Sequence, residues 1–135
     1  MNKIFEYPLT IIERHLDFYG HVNNAVYLEL YEEARWDFIT KGGYGHDRIQ
    51  IDKCGPVLID LHLTFKRELK NREKIIIQSQ SKEMQNKYVM QLEQKMIKAD
   101  GIVASVLLVN VGLFDMNERK LVLPKPDWLK AIGID

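Results

Sequence analysis

One stretch constrains this chain more than any other: Asp17 to Phe38, reading DFYGHVNNAVYLELYEEARWDF. It begins as a tight turn and runs into a helix. Asp17 and Gly20 stand where a type I turn favours Asp at its first position and Gly at its last. Asn23 or Asn24 can then cap the helix, because a short side-chain oxygen accepts from backbone N–H groups that lack helical partners. In the helix, Val26, Tyr27, Leu28, Leu30, Tyr31, Ala34, Trp36, Phe38 and Ile39 leave no wide polar face, which predicts a buried helix. Glu29, Glu32, Glu33 and Arg35 interrupt it too often for a membrane span. The rest of the chain is therefore expected to wrap around this helix, with an acid and a polar turn at its N-terminal end.

The flanking sequence supplies the wrapping. Phe5, Tyr7, Leu9 and Ile11 alternate along KIFEYPLTIIER, a strand that Pro8 confines to a sheet edge. The helix is predicted to stop at Lys41-Gly42-Gly43. The four-glycine stretch Gly42 to Gly55 reads as a loop, with a short extended piece at Arg48–Ile51. After Pro56 the pattern is strands: Ile59, Leu61, Leu63 and Phe65 alternate with Asp60, His62, Thr64 and Lys66. Glu73–Glu83 and Tyr88–Lys98 form a hairpin through Gln85-Asn86. Asp100-Gly101 is a hairpin turn signal. Ile102–Phe114 is apolar on both faces and reads as a central strand. A turn at Met116–Arg119 and a short amphipathic helical piece at Trp128–Ile132 close the chain. Short turns force antiparallel pairing. The predicted class is α+β: one curved antiparallel sheet of about five strands wrapped around one long helix, in a single domain over 1–135.

Charge and cysteine content exclude several function classes. The formal net charge is zero, unlike the basic excess of a bulk nucleic-acid binder. Cys54 is the only cysteine, so no intramolecular disulfide or Cys-based metal site can form within one chain. MNKIFEYPLT holds no apolar run of signal-peptide length, and a cytoplasmic location is the expectation.

The turn carries the chemistry worth weighing. Asp17 can fix its own turn through an Asx hydrogen bond. The same carboxylate also stands beside a helix N-terminus, whose free N–H groups and positive end favour an oxyanion. An acid next to such donors has the parts for acyl transfer. His21 and Asn23 can orient the reacting groups, or serve only turn geometry and capping. Tyr27, Tyr31 and Trp36 share helical spacing with Leu28 and Leu30 and read as core, with Tyr27 also a substrate-binding candidate. Glu29 and Glu33, at i and i+4, read as a solvated stripe, and Glu33 and Arg35 as surface or interface pairs. Lys66 and Arg67 open a basic cluster running through Lys70 and Arg72 to Lys74. That cluster can hold phosphates or form a solvated turn. One His62 on a polar strand face is too little for a metal site.

Asp17-Phe-Tyr-Gly-His-Val-Asn-Asn-Ala-Val-Tyr27 followed by Tyr31-Glu-Glu-Ala-Arg35 resembles the central segment of hotdog-fold acyl-CoA thioesterases. The resemblance is to the hydroxybenzoyl-CoA thioesterase-like group. His15-Leu16-Asp17, His21 to Asn24 and Glu33 to Trp36 are most similar to its bacterial long-chain acyl-CoA members. The dense match covers about twenty residues, and Leu123-Pro124 matches the closing segment. The resemblance implies a hotdog fold with the helix as sausage and the sheet as bun. It implies that Asp17 is the catalytic carboxylate, as nucleophile or general base, and that the Asn24 backbone N–H polarises the thioester carbonyl. It implies an acyl-CoA substrate, with no metal or other cofactor; the cluster opened by Lys66 and Arg67 is then the candidate for the coenzyme A phosphates, since Arg and Lys are the usual phosphate donors. It further implies a homodimer or homotetramer with active sites at the subunit interface. A hotdog module that binds acyl-CoA as a sensor, without turnover, is the alternative, since fold does not fix function.

Overall fold

In the computed structural model, which describes residues 2–134, the central helix is α1, Asn24–Lys41. The sheet comprises β1 (Ile4–Thr10), β2 (Cys54–Phe65), β3 (Lys74–Met84), β4 (Val89–Lys98), β5 (Val103–Asp115) and β6 (Lys120–Val122). Its order is β1-β3-β4-β5-β2, all antiparallel, and β6 pairs with β5 at Leu113–Asp115, beyond the end of β4. This is the hotdog arrangement. Pro8 lies on the edge strand β1, as its missing N–H requires. Among the described residues no helix is long and apolar enough to cross a membrane.

The inner face of the sheet follows the period of two. Ile75 and Ile77 of β3, Met90, Leu92 and Met96 of β4, and Leu107, Val109, Val111 and Leu113 of β5 all face α1 and are buried. On β1, Phe5 stacks on Phe38 with centroids 4.3 Å apart. Tyr7 donates to Glu33 Oε2 at 2.6 Å, and this bond first, then partial burial, pushes the phenol up to about 12.

Polar groups are threaded through this core, and each has a partner. Tyr31 and Ser105 share a buried hydroxyl–hydroxyl bond of 2.5 Å. Gln94, fully buried, donates to Tyr31 O (3.1 Å) and Ser79 Oγ (3.0 Å) and accepts from Arg35 Nη1 (3.0 Å).

The structure corrects four sequence expectations. Arg35 is not a surface pair: it is 8% exposed and points into the core. Trp36, expected in the core, is 37% exposed. The glycine-rich stretch is not all loop, because His46–Asp52 forms a short helix, α2. It is held by Arg48 to Asp52 within the helix and to Asp127 at the start of a last helix, α3, Pro126–Ala131. Only Ile49 anchors its inner side, while Ile51 lies exposed, so the apolar period was too short to read. Finally, Ile59 does not share a face with Leu61. A bulge between Leu58 and Asp60 shifts the register. Ile59 then packs near Gly112 and Leu121 on the outer face, and Pro56 and Leu58 join Leu61, Leu63 and Phe65 on the helix side.

The buried Tyr31–Ser105 bond gives a stability prediction. Tyr31→Phe leaves the Ser105 hydroxyl buried without that partner and should cost about 1–3 kcal/mol in urea denaturation. Adding Ser105→Ala removes both partners and should recover much of that loss. A double variant weaker than the sum of its singles would contradict this.

Candidate active site

The turn before α1 is built around one carboxylate. Asp17 Oδ1 accepts from the N–H of Tyr19 (2.9 Å) and of His21 (3.3 Å). The Gly20 N–H donates to Asp17 O at 3.1 Å, closing the turn. Gly20 sits at φ +82°, where a side chain would be strained. The Asp17 N–H donates to His21 O (2.9 Å), so acid and histidine are tied by backbone as well as side chain. Both bonds from Tyr19 and His21 end on Oδ1, and Oδ2 has no protein partner among the described residues.

Asn23 sets the start of the helix. Its N–H donates to His15 O (2.9 Å), its carbonyl accepts from the Val26 N–H (3.0 Å), and its side chain accepts from the Ala25 N–H (2.9 Å). Asn23 is therefore the cap and Asn24 the first helical residue. The caps leave the Asn24 N–H without an acceptor among the described residues, at the positive end of an 18-residue helix.

A second loop closes the site. Val22 donates to Leu69 O (3.0 Å), His21 bridges to Lys70, and His21 Nε2 lies 3.2 Å from Glu68 Oε2. The turn is thus fastened to the segment that follows β2. The result is an open cleft lined by Asp17, His21, Asn24, Tyr27, Lys66 and Arg67, with Val22, Phe65 and Glu68. Tyr27 is buried and meets Phe65 edge-on at 5.0 Å. Burial first, then the negative charges of Glu68, Glu73 and Asp17, raises its phenol. Tyr27 is a neutral wall of the cleft.

The structure thus gathers Asp17, His21, Asn24, Tyr27, Lys66 and Arg67 at one cleft, while Asn23 serves as the helix cap. Of the basic cluster, only Lys66 and Arg67 reach the cleft. Arg72 turns away to Glu13, and Lys74 begins β3. Phe65 and Glu68 were missed, because nothing local marks which end of a strand will abut a distant turn. His15 was missed as a support: its carbonyl holds the Asn23 N–H, and its Nδ1 accepts from the Ile12 N–H at 3.0 Å.

That geometry requires a neutral His15. Burial first, then the charge of Arg14, holds its imidazole below the ordinary value of 6.5, against the opposing pull of Glu33 and Glu29. Between the lowered folded value and 6.5 the unfolded chain binds more protons, so stability rises with pH there. The contribution should be complete above pH 6.5 and lost as pH falls through the folded value. Urea midpoints measured across this range should slope for the native protein and flatten in His15→Asn. Equal slopes would exclude His15 as their source.

Known proteins resemble this chain in sequence and in fold. Residues 13–132 match the model of the thioesterase-like superfamily. The chain is 27% identical over 106 residues to the long-chain acyl-CoA thioesterase FadM of Escherichia coli strain K12, covering 78% of this chain and 80% of that one. A Staphylococcus aureus protein solved in complex with CoA superposes with a TM-score of 0.89 at 16% identity, over 98% of this chain and 83% of the other. The probable thioesterase YbaW of Escherichia coli superposes with a TM-score of 0.82 at 24% identity, over 93% and 94%. With the family match spanning both the turn and the sheet, the chain belongs to the thioesterase-like superfamily.

Proposed function

We propose that the protein is an acyl-CoA thioesterase, hydrolysing an acyl-CoA to the free acid and coenzyme A. One observation carries this reading: Asp17 and Asn24, whose N–H has no acceptor among the described residues, line the same cleft. The similarity to FadM, itself a long-chain acyl-CoA thioesterase, supports it.

The chemistry follows from the two groups. The thioester carbonyl oxygen accepts from the Asn24 N–H, where the helix end favours growing negative charge. Asp17 then acts in one of two ways. As general base it takes a proton from water, whose oxygen bonds to the carbonyl carbon. As nucleophile it bonds to that carbon itself, and water later hydrolyses the anhydride. In either case the C–S bond breaks, and the departing coenzyme A thiolate takes up a proton. His21, held by Glu68, stands beside the acid and orients the reacting groups. Lys66 and Arg67 at the cleft rim are placed for phosphates of coenzyme A. The reaction so written uses no metal or redox cofactor.

A second copy of the chain completes this reading. The edge strand β2 exposes Leu58, Leu61 and Phe65 on one face and Ile59 on the other, at 41–54%, apolar surface that an isolated subunit leaves open to association. Pairing of two β2 edges in a homodimer, or in a homotetramer built from such dimers, covers it beside the cleft.

Two substitutions test the proposal through thiol release from an acyl-CoA panel. Asp17→Asn keeps an oxygen to accept from Tyr19 and His21, so the turn survives, and turnover should fall about 10²–10⁴-fold. Near-native activity would remove Asp17 from the mechanism. Asn24→Pro deletes a single N–H at a first helical position, where proline fits. The extended backbone of Asn23 (φ −62°, ψ 140°) tolerates a following proline. Its kcat should fall about 10²–10³-fold with KM little changed. A folded variant with unchanged kcat would place the carbonyl elsewhere. Native protein that binds acyl-CoA without releasing thiol would be a sensor.

A further inference from the structure

A second cavity, of about 90 Å³, lies between the C-terminal half of α1 and the far end of the sheet. Arg35, Trp36, Leu58, Met90, Val111 and Trp128 line it. Beside these apolar and aromatic side chains and Arg35, the polar residues Glu32, Ser81 and Gln91 also reach it. Arg35 is 8% exposed and carries five N–H donors, yet one neutral acceptor, Gln94 Oε1, is its only hydrogen-bond partner among the described residues. Gln94 is fixed by its own two donations, so its oxygen cannot turn elsewhere. No carboxylate forms an ion pair with Arg35 among the described residues. Among the described residues no Arg35 nitrogen is both buried and without a partner, so its remaining donors stay accessible, and the nearby Glu32 carboxylate favours its charge.

One face of β2 runs from this chamber toward the catalytic cleft. The bulge at Ile59 puts Pro56 and Leu58, at the chamber, on the same face as Leu61, Leu63 and Phe65, and Phe65 lines the cleft. Along α1 the separation from Asn24 to Arg35 is eleven residues, about 16 Å. A long acyl chain held by its carbonyl at Asn24 has the reach to extend along this face as far as Arg35. Glu32 also faces the chamber, and its charge disfavours a second carboxylate there.

We infer that the chamber takes the far end of a long acyl chain bearing a neutral oxygen, a hydroxyl or oxo group, which accepts a hydrogen bond from Arg35. This assignment rests on the acyl-CoA reading of the cleft. A site built to hydrogen-bond an oxygen discriminates against the chain that lacks it, because its own polar group is then left unpaired.

Calorimetric binding of two non-hydrolysable thioethers, S-dodecyl-CoA and S-(ω-hydroxydodecyl)-CoA, tests the assignment without turnover. The native protein should bind the hydroxylated analogue about tenfold more tightly. Arg35→Met should reverse that order. Val111→Phe, which fills the chamber and leaves the arginine network in place, should abolish the preference and keeps the test open if Arg35→Met does not fold. Equal binding by the native protein, or tighter binding of the plain chain, would overturn the assignment and leave the acyl-CoA reading standing. Retention of the preference in either folded variant would also overturn it. Failure of both analogues to bind would overturn the two together.

Discussion

The capping of α1 by Asn23 is the constraint on which the rest of the site depends. A helix start offers several unpaired N–H groups, and a protein that uses one of them must dispose of the others. Asn23 does so with its side chain on Ala25 and its carbonyl on Val26, while its own N–H is held by His15. The Asn24 N–H is what remains. The preceding turn is fixed to the same frame, since Asp17 and His21 hold one another through backbone and side chain. Acid and donor are positioned by one short segment, and the distance between them cannot drift independently.

The sheet gives that segment a rigid backing. Its inner face buries α1 along one side, and the loop after β2 reaches back to the turn through Leu69 and Glu68. Beneath the helix runs a polar column, Tyr31 with Ser105 and Arg35 with Gln94 and Ser79, whose bonds require a definite rotation of α1 over β4 and β5. An all-apolar core would let the helix slide more freely. Here a slide would strand buried donors, at about 1–3 kcal/mol each, and this fixes where the helix start points.

Local sequence was legible where the physics is local. The Asp17–Gly20 turn, the asparagine cap, the edge placement of Pro8 and the central place of β5 all rest on near neighbours or on strict alternation. The misreadings share one cause, dependence on a partner distant in sequence. Arg35 read as surface because its acceptor, Gln94, lies 59 residues on. Trp36 read as core because its helix neighbours are apolar, although it borders an open chamber and stays 37% exposed. The Ile59 bulge is visible only against β5, and α2 is held by an ion pair to Asp127 that its own composition does not announce. At the site, Asp17, His21 and Asn24 were readable as a continuous motif, whereas Phe65 and Glu68 enter only when the chain has folded back.

The central claim is that the first free N–H of α1 holds the carbonyl that Asp17 acts upon. A crystal structure with an acyl-CoA analogue whose thioester sulfur is replaced by methylene would test it directly. The account predicts the ketone oxygen within about 3.2 Å of the Asn24 nitrogen, with the Asp17 carboxylate facing the carbonyl carbon. A carbonyl bound to another donor, with Asn24 turned to solvent, would contradict it.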